Sequence, residues 1–225
     1  MNKYLNIKKY KNGDVISILI NDLYNINKYK NILFIRSPTT GDWLDKLFVN
    51  DENITRIMYF TNKTSNYTKP HKSSIIVSSE NFSNTIKTLN TKYDLICIDP
   101  FHEYYESNRD FTLLGELLSS NGILISHDCF PPTKDMATPK YKNGSWCGET
   151  YIAFINFAYN NPNYYYTILN IDTGIGIISK NKFDNILETN LNTTKQEKLL
   201  VLHKNFENVY DNFVENSSDL INVKN

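Results

Sequence analysis

Disulfide frameworks, net charge and membrane-length apolar runs are all missing from this chain. Its 225 residues include three cysteines, Cys97, Cys129 and Cys147. The number is odd and the spacing fits no framework, which excludes a disulfide-stapled secreted scaffold and points to a reduced, cytoplasmic setting. Lysine plus arginine equals aspartate plus glutamate, 24 of each, for a formal net charge of zero. Sequence-independent binding of nucleic acid needs a cationic surplus and is therefore not expected. The basic tilt of the first thirty residues (Lys3, Lys8, Lys9, Lys11, Lys28 and Lys30 against Asp14 and Asp22) reads as a solvated face. No signal-peptide pattern is seen and no apolar run reaches spanning length, so no membrane partner is expected. The Asn-x-Ser/Thr triplets at Asn62, Asn66 and Asn192 are then chance matches in an Asn-rich chain.

No internal repeat or interdomain linker is seen, and the length suits a single domain over residues 1–225. It divides into an N-terminal helical segment (1–27), an α/β core (28–180) and a helical tail (181–225). Asn12-Gly13-Asp14 reads as a helix start, followed by an apolar stripe through Val15, Ile16, Leu19, Ile20 and Leu23. Strands are expected at 31–35, 54–60, 74–78, 93–98, 123–126, 164–171 and 174–179. Helices are expected at 43–48, from a cap at Ser79 through Leu89, at 106–119, at 146–159, and from a capping box at Thr194 through Phe213. Only Asp172 and Thr173 separate the last two strands, which demands an antiparallel hairpin. The sum is an open, mostly parallel seven-stranded sheet closed by that hairpin, with helices on both faces.

The most informative stretch runs from Tyr93 to Asp128. Two continuous apolar runs, Leu95-Ile96-Cys97-Ile98 and Ile123-Leu124-Ile125-Ser126, end on Asp99 and on His127-Asp128. Runs of this kind suit parallel strands covered on both faces. Neighbouring parallel strands release their polar ends at one carboxyl edge, where such sheets bind ligands. At a strand spacing of about 4.8 Å, Asp99 and Asp128 are close enough to share one metal ion. Oxygen-rich coordination suits Mg²⁺ or Mn²⁺ better than zinc. His102, just beyond a strand end, reads either as a surface histidine on a loop or as a general base, for which an imidazole partly neutral near pH 7 is suited. His127 either ligates the metal or orients Asp128. Trp43 and Trp146 read as core or pocket walls, and Tyr104 or Tyr105 as lining for a sugar-sized pocket.

At these residues the chain resembles the class I S-adenosylmethionine-dependent methyltransferases. The likeness is strongest to small-molecule and sugar O-methyltransferases, including the metal-dependent macrolide-sugar group. Asp99-Pro100-Phe101-His102-Glu103-Tyr104, with Asp110 eight residues past the histidine, resembles the family's Asp-x-x-His-x-Tyr…Asp signature. Asn121-Gly122 through His127-Asp128, Trp146-Cys147-Gly148-Glu149 and Asp172-Thr173-Gly174 resemble later blocks. The resemblance implies a Rossmann-like fold, S-adenosylmethionine as cofactor, and cofactor contacts from Arg36, Ser37, Gly41, Asn62, Ser79 and Glu80. Two departures stand out. The first strand leads into Arg36-Ser37-Pro38-Thr39-Thr40-Gly41, with one glycine and no acid before it, where the family has an acid and a Gly-rich turn. The second strand ends on Asn62 rather than on the acid that holds ribose hydroxyls.

The implied activity is methylation of a hydroxyl on a sugar or glycoconjugate, assisted by a divalent metal on Asp99, Asp128 and His127. His102 would remove the proton, and a homo-oligomeric state is left open. The rival is a methyltransferase-like scaffold or binding subunit that has lost its cofactor, and a weaker one is a nucleotide-sugar enzyme with Arg36 on a phosphate.

Overall fold

The computed structural model describes residues 15–39, 41–48, 52–63, 69–181 and 209–216. The expected helix start at residues 12–14 and the capping box at Thr194 lie outside them. So do Asn66 and Asn192. Among the described residues no helix is long and apolar enough to cross a membrane.

The chain runs α1 (Val15–Asn27), β1 (Ile32–Arg36), a 3-10 turn (Asp42–Lys46), β2 (Ile54–Phe60), β3 (Ile75–Ser78) and α2 (Ser79–Thr88). It continues through β4 (Tyr93–Asp99), α3 (Tyr104–Leu117), β5 (Leu118–Ser126), α4 (Thr150–Asn160), β6 (Tyr165–Leu169) and β7 (Ile175–Ser179) to α5 (Val209–Asn216). Seven strands form one sheet in the order β3-β2-β1-β4-β5-β7-β6. The first five run parallel, whereas β7 is antiparallel to both β5 and β6. The expected Rossmann-like sheet with its reversed hairpin is therefore the observed one.

The central strands are apolar on both sides because both sides are covered. Leu33 and Ile35 of β1, with Ile96 and Ile98 of β4, share a core with Phe82 of α2, Phe111 and Leu114 of α3, and Phe154 of α4. Their neighbours Ile32, Phe34, Leu95 and Cys97 point the other way, onto Ile16, Leu19, Ile20 and Leu23 of α1. Alternation with period two thus sorts one continuous apolar run into two cores. Each fully buried Ile or Leu contributes about 1.5–3 kcal/mol. At the sheet edge, β3 leaves Ile75 and Ile76 exposed. All three cysteines are buried and free.

Several boundaries differ from the sequence reading. Ser78, not Ser79, caps α2, its side chain accepting from Asn81 N at 3.3 Å. The helix expected at 43–48 is a 3-10 turn that begins at Asp42, and α3 starts at Tyr104, earlier than expected. Asn121-Gly122 lies inside β5, which starts at Leu118; the strand's first half is partly solvated and so carries no apolar signal. Trp146 to Glu149 precede α4 instead of opening it: the Cys147 and Gly148 amides both donate to Met136 O, and Glu149 N donates to His102 O at 2.7 Å. The β6–β7 connection is longer than two residues. Its backbone bonds to the segment after β5 instead (Cys129 N to Gly174 O, Phe130 N to Thr173 O, both 2.9 Å), which stops hairpin pairing at Leu169–Ile175.

Candidate active site

Register carries two acids to one edge. Asp99 is the last residue of β4, and Ile98 lies opposite Ser126, two residues short of Asp128. Between them stands His102: its Nε2 is 3.0 Å from Asp99 Oδ1 and 2.9 Å from Asp128 Oδ2. All three residues are buried. His127 flanks the same acids, with Nδ1 3.6 Å from Asp99 Oδ2 and 3.3 Å from Asp128 Oδ2. Its Nε2 faces Asp172 Oδ2 at 3.1 Å and Thr173 Oγ1 at 3.2 Å. The centre is three carboxylates knitted by two imidazoles.

Backbone strain concentrates here. His102 (φ 61°), Asp128 (φ 59°) and Asp172 (φ 56°) all adopt the left-handed conformation that residues with a Cβ avoid. Such residues persist where surrounding structure over-determines them, and they cluster at functional sites. For His102 the restraint is visible on both sides. Phe101 N donates to the Tyr59 hydroxyl at 2.9 Å, and Tyr59 in turn donates to Asp110 Oδ2 at 2.8 Å. Arg109 holds the other Asp110 oxygen through Nε and Nη2 at 2.9 and 2.7 Å. Behind His102, Gly148 and Glu149 close on its carbonyl.

Electrostatics follow from packing so many charges out of water. Burial alone would depress the His102 imidazolium, but Asp128 and Asp99 outweigh it and raise its pKa to about 10. His127 behaves alike: burial opposes its charge, while Asp128, Asp172 and Asp99 hold the proton. Conversely, burial opposes the Asp128 charge, and the two histidines keep its carboxyl well below the usual range. Without further positive charge, both histidines are therefore cations at neutral pH.

The turn after β1 closes onto this centre. Gly41 is left-handed (φ 68°), and a Cβ there would stand 2.7 Å from Asp99 Cβ and 2.9 Å from Arg36 Cβ. Glycine is needed because the chain passes this close to Asp99. Two residues later Trp43 donates from Nε1 to Asp99 Oδ2 at 3.1 Å. Arg36 is buried and engaged by the protein itself: Nε and Nη2 reach Asp45 Oδ2 at 2.8 and 2.7 Å, with further bonds to Ser37 O and Lys69 O. Ser37 N donates to Asp99 O at 3.3 Å.

The remaining sequence-named positions gather elsewhere. Asn62, Ser79 and Glu80 line one cavity of about 340 Å³ at the ends of β2 and β3, together with Tyr105, Glu106 and Arg109. A second cavity, about 480 Å³, is lined by Lys63, Glu103, Tyr104, Tyr105, Tyr141 and Glu149, of which Glu103 follows His102 in sequence and Glu149 bonds its carbonyl. Trp146 stands between the centre and this cavity, its ring 5.5 Å from that of His102 and 5.3 Å from that of Tyr141.

Residues 17–129, which carry β1 to β5 and the paired acids, match a family model described as a methyltransferase domain. The chain belongs to this methyltransferase family. No curated protein matches it. Solved structures do. The methyltransferase PaMTH1 of Podospora anserina, bound to S-adenosylhomocysteine, is 19% identical with a TM-score of 0.50, covering 78% of this chain and 82% of that one. The O-methyltransferase TomG of Streptomyces achromogenes, in complex with S-adenosylmethionine, is 10% identical with a TM-score of 0.52 over 76% and 81%. An O-methyltransferase of Bacillus cereus is 13% identical with a TM-score of 0.50 over 78% and 85%. At such identities the likeness is one of fold, and the fold is that of the class I S-adenosylmethionine-dependent methyltransferases.

In this methyltransferase, sequence reasoning brought Asp99, His102, His127 and Asp128 together but missed Asp172, Trp43 and Glu106. Asp172 and Trp43 had a readable trace, the Asp-Thr-Gly block and an aromatic just past the β1 turn. Nothing in the sequence singles out Glu106.

Proposed function

We propose that this methyltransferase transfers the methyl group of S-adenosylmethionine to a hydroxyl of a sugar or glycoconjugate, with a divalent cation, Mg²⁺ or Mn²⁺, at Asp99 and Asp128. The observation that carries the reading is the donor set itself. Among the described residues one group can share an ion: ligand atoms of Asp99, His102 and Asp128 all lie within 4.8 Å of one another. The two carboxylates fit a hard, oxygen-preferring cation and His127 stands at hand as its nitrogen donor, which leaves Nε2 of His102 for the proton. When bound, such a cation supplies positive charge that balances both acids and acidifies a hydroxyl oxygen. With the acids so balanced, His102 loses the interaction that keeps it protonated and is free to take a hydroxyl proton at Nε2. Asp128 and Asp99 hold its ring in place, and Trp43 fixes the second oxygen of Asp99.

The acceptor class is supported by the larger cavity. It combines tyrosine faces (Tyr104, Tyr105, Tyr141) with charged groups (Lys63, Glu103, Glu149), a mixture suited to the apolar faces and polar rims of a sugar ring. Cofactor contacts divide between the β1 turn at Ser37 and Gly41 and the smaller cavity at Asn62, Ser79 and Glu80.

The test is methyl transfer from S-adenosylmethionine to a panel of free and nucleoside-linked sugars, with Mg²⁺, Mn²⁺ or chelator present, beside a direct titration of Mn²⁺. Sugar methylation that stops with chelator, together with saturable Mn²⁺ binding, is expected. Turnover that ignores chelator would remove the metal. Turnover only on non-sugar hydroxyls would remove the acceptor class.

A further inference from the structure

The smaller cavity contains a carboxylate oxygen with nothing to bind. Glu106 lines it from the first turn of α3, and its Oε2 is shut away from solvent with no hydrogen-bond partner. A carboxylate oxygen is an obligatory acceptor, and burying it unmatched is costly, so an orphan of this kind calls for an explanation. The nearby cations are committed elsewhere. Arg109 is held by both Asp110 and Ser79 and lies over the Tyr59 and Phe82 rings, at 5.1 and 4.6 Å. Lys63 lies on Glu103 at 2.6 Å. Burial, with Glu103 adding to it, pushes the Glu106 carboxyl above its ordinary range against the pull of its own backbone amide, Arg109 and Lys63.

The missing partner must donate hydrogen bonds and must not be an anion. Two acids, Glu80 and Glu106, share the cavity and disfavour a phosphate, which sets the nucleotide-sugar reading aside for this location. A volume of about 340 Å³ suits one nucleoside-sized group. The flat exposed ring of Tyr105 offers a stacking face for a base. A vicinal diol matches a carboxylate's two oxygens, and β2 presents no acid at its end to do this work.

We infer that Glu106 is a cofactor-binding residue, accepting the ribose hydroxyls of S-adenosylmethionine from α3 in place of an acid at the end of β2. This rests on the reading that the cofactor's nucleoside occupies the smaller cavity.

Calorimetric titration of the full chain with S-adenosylhomocysteine and with its 2′-deoxy analogue tests it. Wild type is expected to bind the parent compound and to lose tenfold or more on the deoxy analogue. Glu106→Ala should lose a similar factor on the parent and show little further loss on the analogue, with Glu106→Gln in between. An unchanged melting curve checks the fold, and Glu106→Gln stands in should the alanine variant not fold. If wild type binds and both variants bind equally well, the role of Glu106 is overturned while the methyltransferase reading stands. If wild type binds no S-adenosylhomocysteine at all, the occupancy of the cavity falls, and the role of Glu106 with it.

Discussion

Gly148 sits against the carbonyl of His102 so closely that a Cβ would stand 2.2 Å from the oxygen. Gly148 is itself left-handed, and its neighbour Glu149 donates to the same oxygen. The turn before α4 is thus a clamp on His102, which bridges both acids. Gly148→Ala should destabilise the protein by at least about 2 kcal/mol, through forced displacement and backbone strain together. Denaturant melts measure the loss. A stability equal to wild type would show that the clamp yields freely.

Asp99 and His102 separate chemistry from cofactor binding. Asp99→Asn and His102→Asn should each cut turnover by about a hundredfold or more, the usual worth of a positioned acid–base group. Affinity for S-adenosylhomocysteine should change little. Asparagine is chosen at 102 because it tolerates a positive φ. Equal losses of turnover and of cofactor affinity would argue that these residues act on binding instead.

Stability of the metal-free protein should depend on pH in a stated direction. In the unfolded chain imidazole gives up its proton near pH 6.5. In the folded chain His102 keeps it to about pH 10. The folded state therefore binds more protons across that window. The stabilisation is complete below about pH 6.5, declines as pH rises, and is gone above about pH 10. His127, raised for the same reasons, adds in the same direction. Melting temperature in chelator should fall from pH 7 to pH 10, and less steeply in His102→Asn. A flat profile would contradict the ion-pair description.

The Arg36–Asp45 pair carries the β1 turn. Arg36 is 2% exposed and Asp45 15%. Removing one partner leaves a buried guanidinium poorly matched, which costs about 3 kcal/mol or more. Asp45→Asn is expected to fall by an amount of that order in equilibrium unfolding. It should also weaken cofactor affinity, since the turn also bears Ser37 and Gly41. A loss below about 1 kcal/mol would mean the arginine finds other acceptors.

The sheet was legible because its strands announce themselves. Leu95–Ile98 and Ile123–Ser126 are unbroken apolar runs, and parallel neighbours can only send Asp99 and Asp128 to one edge. The acids' meeting was readable for that reason. His102 was readable as their neighbour in sequence but not as their bridge, which depends on a left-handed backbone that no local pattern encodes. Asp172 and Trp43 arrive through loops whose paths are set by long-range bonds, Cys129 to Gly174 and Gly41 against Asp99. The Cys129–Gly174 bond also explains the misplaced end of the hairpin, and the bonds from Cys147, Gly148 and Glu149 to Met136 O and His102 O explain that of α4. Glu106 is one polar residue on a polar helix face, and only the cavity marks it out.

The left-handed backbones of His102, Asp128 and Asp172 also set a direction for any laboratory evolution of this protein. Glycine adopts such a conformation without strain. At three positions, then, one substitution relieves the backbone while deleting a side chain of the charged centre. A screen that rewards survival of heating alone should enrich glycine at Asp172, whose side chain is the most exposed of the three, whereas at 102 and 128 the loss of buried ion pairs opposes the backbone relief. Selection that also demands methyl transfer should keep histidine and aspartate at 102 and 128, and must find its heat resistance in other parts of the chain.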